Sequence, residues 1–215
     1  VEIPGPAERR LGEIAREHEL WLVTGLTEGD PARPGTLYNT LLYHSPSGEL
    51  SLKHRKLVPT NHERLVWGPG DGSGLEAVET PLGRIGGLIC WENYMPLARF
   101  ALYESGVELY IASTADDADA WQSTIVHIAR ESRAFVIAPS HFQRASSYPE
   151  DFPLRSLLEE LDVIGRGGSA ILGPDGAYLA GPLWDEEGIL YAELDPRRLA
   201  EERQRFDPVG HYHRP

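Results

Sequence analysis

The chain contains a single cysteine, Cys90, and it stands where a strand pattern gives way to a helix pattern. Residues 84–90 (RIGGLIC) are largely apolar and follow the turn 81–83 (PLG), which predicts a buried strand, and Pro96 begins a predicted helix. Such a turn presents a nucleophile at the carboxyl edge of a sheet, near backbone N–H groups that receive an oxyanion. An isolated cysteine is more often a small buried apolar residue, so the interpretation of Cys90 as a nucleophile depends on its surroundings.

The surroundings of a reactive thiol must supply cations, which lower the pKa of the thiol, and a base that accepts its proton. The basic run 53–56 (KHRK) lies on the predicted strand 49–57, and Glu63 and Glu92 supply carboxylates. Taken alone, such a basic run is more often a solvated face. No one of these features identifies a catalytic site by itself.

Three segments resemble the motifs of the nitrilase branch of the carbon–nitrogen hydrolase superfamily, in the same order and at similar separations. They are HRKLVPT (54–60), ERLVWGPGDGS (63–73) and GRIGGLICWENYMPLAR (83–99). The resemblance continues through TLYNT (36–40), HIARESR (127–133), GGSAILGPDG (167–176) and GHYHRP (210–215). It therefore covers nearly the whole chain.

By this resemblance Cys90 is the nucleophile, Lys56 is the catalytic lysine, and Glu63 matches the second glutamate of the family. A lysine at this place would stabilise charge that develops on the substrate, and Glu63 would orient the lysine or an attacking water. The tryptophan after the nucleophile, Trp91, is typical of nitrilases and favours a nitrile substrate. We expect Trp91 and Thr114, which directly follows the predicted strand 107–113, to bind that substrate.

The reaction that the resemblance implies is hydrolysis of a nitrile to the carboxylic acid and ammonia, through thioimidate and thioester intermediates on the cysteine. An amidase or carbamoylase of the same superfamily is an alternative, because it uses the same nucleophile on an amide C–N bond. The chain lacks the Phe-Pro-Glu-like segment that carries the family's first glutamate, the general base. A non-catalytic scaffold or subunit is therefore a second alternative, and we expect residues 1–215 alone to be weakly active at best.

The elements that must position these residues are of the α/β type. Helices are predicted at residues 7–18, 96–104, 119–132 and 196–205, and strands at 20–26, 36–44, 49–57, 75–80, 84–90, 107–113, 133–138, 168–172, 177–180 and 188–194. The strand-helix-strand run from 107 to 138 predicts parallel pairing through a right-handed crossover. Residues 143–166 show no clear period and are expected to form a long functional or oligomer-contacting loop. The resemblance implies a four-layer αββα sandwich, which we expect as one domain over 1–215, truncated at both the N- and the C-terminus.

Composition and charge limit the partners. The net charge of −13 argues against a nucleic-acid partner, which requires clustered basic residues. We expect no membrane partner, because no apolar stretch approaches the roughly 20 residues that a spanning helix needs, and we expect a cytoplasmic location. One cysteine permits neither an intrachain disulfide nor a cysteine-rich zinc site. The expected partners are a small nitrile and further copies of the chain, as a dimer or larger homo-oligomer, with no cofactor and no metal.

Other polar residues have simpler explanations than catalysis. His127 is expected to pack within its helix face or support the site rather than transfer protons. The pair His211 and His213 offers too few ligands for a metal. The acidic run 116–119 (DDAD) is expected to cap the following helix rather than bind a cation, and Glu8 to be a charge on a surface helix near its N-terminus.

Overall fold

The structure is a computed structural model and describes residues 1–212. Its α-helices are α1 (Pro6–Glu17), α2 (Pro96–Glu104), α3 (Asp119–Ser132), α4 (Arg155–Glu159) and α5 (Arg197–Arg205). Its strands are β1 (Leu22–Gly29), β2 (Leu37–His44), β3 (Leu50–Arg55), β4 (Ile85–Ile89), β5 (Leu109–Ser113), β6 (Phe135–Ala138), β7 (Phe142–Arg144), β8 (Val163–Leu172) and β9 (Tyr178–Trp184). The predicted α/β class is confirmed.

The first sheet is antiparallel and consists of β1, β2 and β3 in that order. The expected turn at residues 46–48 joins β2 to β3, and Gly48 there has a φ of +87°, a value that favours glycine. Helix α1 lies against this turn so closely that a side chain on Gly12 would meet the carbonyl oxygen of Gly48. The two glycines therefore allow α1 to cover the outer face of the first sheet.

The second sheet has the order β4-β5-β6-β8-β7, with β9 also paired to β8. The strands β4, β5 and β6 are parallel, and α2 and α3 connect them in sequence. The parallel pairing predicted for residues 107–138 is confirmed. As a result, the chain leaves β4, β5 and β6 at the same edge of the sheet, where the segments after them lie side by side.

Two apolar cores define the layers. Leu41 and Tyr43 of the first sheet pack against Ile85, Ile89 and Ile111 of the second. The opposite face of the second sheet carries Leu88, Tyr110, Ala112 and Val136, which pack with α2 and α3. Because alternate side chains of a strand face opposite sides, both faces of the second sheet are apolar. With α1 on the outside of the first sheet, the layers follow the order αββα.

Three predicted elements differ from the structure. Residues 75–80 do not form a strand, because they meet β4 only at Val78 and Ile85 before the Thr80 hydroxyl donates to the Gly83 carbonyl and turns the chain. Residues 188–194 do not form one either, since they pair with no strand and Leu190 instead packs against β9 near Gly181. The supposed loop 143–166 contains α4 and the start of β8, and β7 pairs with β8 at its beginning.

Glu8 was expected to be an exposed helix-start charge, and this expectation is wrong. Its side chain is buried under α1, where its carboxylate lies 3.3 Å from Nε2 of the fully buried His44 on β2. The close packing of α1 on the hairpin brings the first turn of the helix down onto the sheet. Glu8 and His44 thus connect the outer helix to the first sheet.

A second carboxylate, Glu28 on β1, ties the three strands of the first sheet together. It accepts hydrogen bonds from Thr40 on β2 at 2.9 Å, and from Lys53 at 2.7 Å and Arg55 at 2.6 Å on β3. Burial alone would raise the pKa of Glu28, but the hydrogen bonds from Arg55, Lys53 and Thr40 outweigh it and lower the pKa to about 2. The carboxylate is therefore ionised throughout the ordinary pH range.

Within residues 1–212, no helix combines the length and the apolar character that crossing a bilayer requires.

We predict that Leu102→Ala destabilises the protein by about 2–5 kcal/mol, because it opens a cavity in the core between α2 and the second sheet. The matched control is Leu97→Ala on the same helix, where the side chain is 82% exposed, and its effect should stay within about 0.5 kcal/mol. Urea unfolding followed by far-UV circular dichroism measures both. Equal losses for the two variants would contradict this assignment of the core.

We also predict that Glu28→Gln removes a pH-dependent part of the stability. The pKa of Glu28 is about 2 in the folded protein, compared with 4.5 for an unperturbed glutamate in the unfolded chain. The stabilisation is therefore present above about pH 4.5 and is lost as the pH falls towards 2. It amounts to at most about 3 kcal/mol. Urea unfolding between pH 7 and pH 3 should show the difference between wild type and variant shrinking on acidification. Asp195→Asn, at an exposed ion pair with Arg197, is the control and should show little such change.

Candidate active site

Cys90 lies directly after β4, as the sequence predicted, and begins the 3₁₀ turn Cys90–Tyr94. Its backbone has a φ of +54°, in the left-handed region that residues other than glycine rarely adopt. This conformation costs about 1 kcal/mol or more and persists only where the surrounding structure imposes it. The side chain is partly exposed and packs at the edge of the core between the two sheets. The fold therefore holds the thiol at a strained, accessible turn.

The carboxylate of Glu92 fixes this turn from inside. It accepts a hydrogen bond from the backbone N–H of Ile89 at 2.7 Å, and one from the N–H of Leu57, which follows Lys56, at 2.5 Å. Its other contact is with Nε2 of His54, at 3.1 Å. Since Glu92 and His54 are both buried, this contact lies between the two sheets.

Asn93 supports the turn from the helix side of the sheet. Its amide donates to the carbonyl oxygens of Cys90 at 2.8 Å and Leu88 at 3.2 Å, and its Oδ1 accepts from the Tyr110 hydroxyl at 2.8 Å. Burial raises the pKa of Tyr110 well above its usual value, so its hydroxyl keeps the proton that it donates. The guanidinium of Arg99 donates to the Asn93 carbonyl at 2.7 Å.

Arg99 is in turn held by Glu131 of α3. The Glu131 carboxylate accepts from Arg99 at 2.9 Å and from the Tyr103 hydroxyl at 2.6 Å. Burial opposes ionisation of Glu131, but the hydrogen bonds from Arg99 and Tyr103 lower its pKa. The turn is thus connected through Asn93 and Arg99 to α3.

Thr114 follows β5, the strand next to β4, and its hydroxyl donates to Cys90 Sγ at 3.3 Å. The same oxygen accepts from the backbone N–H of Asp116 at 2.9 Å, which leaves its proton directed to the sulfur. Thr114 was expected to bind substrate. The structure brings it into direct contact with the candidate nucleophile, and substrate binding by Thr114 stays a prediction.

Lys56 and Glu63, predicted as a pair, are in contact. Lys56 follows β3 and is almost completely buried, and its Nζ donates to Glu63 at 2.6 Å and to the Thr60 hydroxyl at 3.1 Å. Glu63 also accepts from the Thr60 backbone N–H at 2.6 Å, which caps the 3₁₀ turn Asn61–Leu65. A buried ammonium of this kind requires a carboxylate partner, and Glu63 is that partner.

The basic run 53–56 does not form a solvated face. Lys53 and Arg55 point to Glu28 on the outer face of the first sheet, whereas His54 points to Glu92 between the sheets. The period of two along a strand produces this division. Treated as a whole, the run does not predict this division, although the alternation of side chains along a strand indicates that His54 faces the opposite side from Lys53 and Arg55.

Trp91 borders a cavity beside the turn. The cavity has a volume of about 380 Å³, and Val58, Thr60, Asn61 and Met95 also line it. The indole is 49% exposed, its N–H donates to Asp116 at 2.7 Å, and its ring meets the Tyr94 ring edge-on. This cavity therefore lies between the segment that contains the Lys56–Glu63 pair and the segment that begins with Cys90.

The structure also bears on the minor expectations for the histidines and for the acidic run 116–119. His127 does not pack in the core, because its side chain is 63% exposed, 3.5 Å from Glu131. Helix α3 begins after Ala118 with no side-chain cap, and Asp116 instead accepts the Trp91 indole N–H. In the described part of the chain, no group of His, Cys, Asp and Glu could hold a metal. His213 lies outside the described residues.

Comparison with known proteins gives a consistent picture. The sequence profile of the family described as carbon-nitrogen hydrolase matches residues 1–204. The chain is 46% identical to the aliphatic nitrilase of Sinorhizobium fredii (strain HH103), with all of this chain and 68% of that protein covered. It is 42% identical to nitrilase 1 of Arabidopsis thaliana, with all of this chain and 63% of that protein covered. The chain thus spans just under two thirds of the length of the plant nitrilases that it matches.

Solved structures show the same fold. The carbon-nitrogen hydrolase from Helicobacter pylori G27 superposes with a TM-score of 0.78 at 24% identity, covering 93% of this chain and 70% of that one. Nit3 of Saccharomyces cerevisiae, a member of branch 10 of the nitrilase superfamily, gives a TM-score of 0.76 at 23% identity, covering 97% and 72%. The αββα order that the resemblance implied is therefore confirmed as the fold class. On the profile match over residues 1–204 and the 46% identity to a relative that it covers by more than two thirds, the chain belongs to the carbon-nitrogen hydrolase family.

Proposed function

We propose that this chain carries the machinery for hydrolysing a nitrile to the carboxylic acid and ammonia, with Cys90 as the nucleophile. The observation that carries the proposal is the Cys90 thiol, held in a left-handed turn after β4 with the Thr114 hydroxyl 3.3 Å from its sulfur. The buried Lys56–Glu63 pair and the similarity to proteins named nitrilases support it further. The geometry of the turn supports Cys90 as the nucleophile, and the relatives named nitrilases support a nitrile as the substrate.

In the proposed reaction the Cys90 sulfur adds to the nitrile carbon, and the nitrogen takes up a proton to give a thioimidate. Water adds to the thioimidate carbon and forms a tetrahedral species, whose charge Lys56 stabilises. Ammonia leaves and a thioester remains. A second water then attacks the thioester, which releases the carboxylic acid and returns the thiol. The sum is one nitrile and two waters converted to one acid and one ammonia, with no cofactor consumed.

Four further side chains divide these tasks. Lys56 is a fixed cation because Glu63 and Thr60 hold its ammonium. Glu63 orients that lysine or an attacking water. Thr114 donates to the sulfur, and Trp91 forms one wall of the neighbouring cavity and contacts the substrate there. We assign Cys90, Lys56 and Glu63 as catalytic and Trp91 and Thr114 as substrate-binding.

We further propose that the protein acts as a homo-oligomer in the cytoplasm. Support for an oligomer comes from the segment before β8, where Leu154, Leu157 and Leu161 are more than half exposed. Clustered exposed leucines are a common feature of contact surfaces between protein chains. Equilibrium sedimentation of the purified protein measures the assembly.

The test of the function is product analysis with a matched nitrile and amide of the same carbon skeleton. We expect the purified protein to release the acid and ammonia in equal amounts from the nitrile, faster than it hydrolyses the amide, and Cys90→Ala to release neither. A higher rate on the amide would replace the proposal with an amidase or carbamoylase. Activity retained by Cys90→Ala would show that Cys90 is not the nucleophile, whereas a wild type that hydrolyses neither substrate would favour the scaffold alternative.

Replacement of Thr114 by valine tests the contact with the sulfur. Thr114→Val keeps the shape of the side chain but removes the hydroxyl that donates to Cys90, and we expect kcat to fall roughly tenfold, the size of one lost hydrogen bond. Thr114→Ser keeps the hydroxyl and is the matched control. If the valine variant turns over at the wild-type rate, the hydroxyl plays no part in the reaction.

A further inference from the structure

The carboxylate of Glu92 joins the two backbone segments that carry the candidate catalytic residues. One oxygen accepts from the N–H of Leu57, the residue after Lys56, at 2.5 Å. The other accepts from the N–H of Ile89, the residue before Cys90, at 2.7 Å. Lys56 and Cys90 therefore each stand next to an amide that is bound to the same side chain.

The ring of His54 is the third group that contacts the Glu92 carboxylate. Its Nε2 lies 3.1 Å and 3.3 Å from the two oxygens of Glu92. Its Nδ1 has no hydrogen-bond partner among residues 1–212, so the polar contacts of the ring are all made through Nε2. The imidazole and the carboxylate are both buried, with side-chain exposures of 1% and 0%. Glu92 borders the cavity beside Trp91, but with so little exposed surface the two side chains are placed to support the site rather than to contact a substrate.

The backbone of Lys56 shows why this contact matters. Its N–H donates to the Asn39 carbonyl at 2.8 Å, and its carbonyl accepts from the N–H of Gly70 at 2.8 Å. Two residues after the end of β3, the N–H of Leu57 donates to Glu92, and this hydrogen bond sets the direction of the chain there. Because Glu92 belongs to the second sheet's turn and Leu57 to the first sheet's end, the bond connects the two halves of the site.

We infer that Glu92 and His54 are a positioning pair, which fixes Lys56 relative to Cys90 by binding the backbone beside each of them. The inference rests on the proposed function in that it assumes Lys56 and Cys90 act on one substrate. Neither member of the pair takes part in bond making. A displacement of about 1 Å between reacting groups is enough to cost about 100-fold in rate, so loss of the pair acts on turnover rather than on substrate affinity.

The test uses variants that change one hydrogen-bonding group at a time. Glu92→Gln keeps the shape but replaces one acceptor oxygen with an NH₂ group, which then faces another donor. His54→Leu removes the donor, whereas His54→Gln returns an N–H at about the place of Nε2. Glu202→Gln is the control for loss of a buried carboxylate, because Glu202 on α5 pairs with Arg133 and Arg205, away from the turn.

We expect Glu92→Gln and His54→Leu to lower kcat about 100-fold with KM changed less than about threefold. His54→Gln should recover most of the wild-type kcat, and Glu202→Gln should leave kcat unchanged at temperatures where circular dichroism shows each variant to be folded. If Glu92→Gln does not fold, the comparison of His54→Leu with His54→Gln carries the test. Wild-type kcat in His54→Leu, or an equal loss in His54→Gln, overturns the inference.

The failure of the proposed function can be told apart from the failure of this inference. If wild type hydrolyses only the amide of the matched pair, the variants are measured on the amide and the inference is tested unchanged. If wild type hydrolyses neither, the rate of iodoacetamide alkylation of Cys90, the only thiol, replaces kcat. Slower alkylation in Glu92→Gln and His54→Leu, with His54→Gln like wild type, supports the pair, and equal rates in all variants overturn it.

Discussion

A carboxylate removed from water must receive its hydrogen bonds from the protein, and Glu92 receives them from both halves of the site. Its donors are the backbone beside Cys90, the backbone beside Lys56 and the ring of His54. A buried acid left without any one of these donors would cost more than the bond itself contributes. The two sheets therefore cannot slide past each other at this end without exposing an unsatisfied charge. The position of Cys90 relative to Lys56 depends on this constraint.

The left-handed conformation of Cys90 is possible because contacts hold the turn from two sides. Glu92 binds it from between the sheets, and Asn93, with Tyr110 and Arg99 behind it, binds it from the helix layer. The backbone strain is confined to Cys90, whereas the contacts that hold the turn extend from His54 on β3 to Glu131 on α3. A thiol in such a setting stays accessible while its backbone stays fixed, which is the requirement that a covalent mechanism places on its nucleophile.

The sequence predicted the parts of the site that are local and failed on those that depend on distant partners. The strand-to-turn position of Cys90 follows from residues 84–96, and the Lys56–Glu63 contact joins residues only seven apart in two neighbouring motifs. The His54–Glu92 contact joins residues 38 apart, and no local pattern indicates it. The segment 188–194 is predicted as a strand, yet it pairs with no strand in the structure. Burial of Glu8 was missed because it depends on how α1 packs on the hairpin.

If nitrile hydrolysis passes through a covalent bond to Cys90, the mass of the protein must change during the first turnover. Wild-type protein is mixed with a nitrile, quenched in acid at increasing times, digested and measured by mass spectrometry. We predict a thioimidate or acyl adduct on the peptide that contains Cys90, and this adduct should appear before free acid accumulates. Release of acid while that peptide stays unmodified at every time would contradict it.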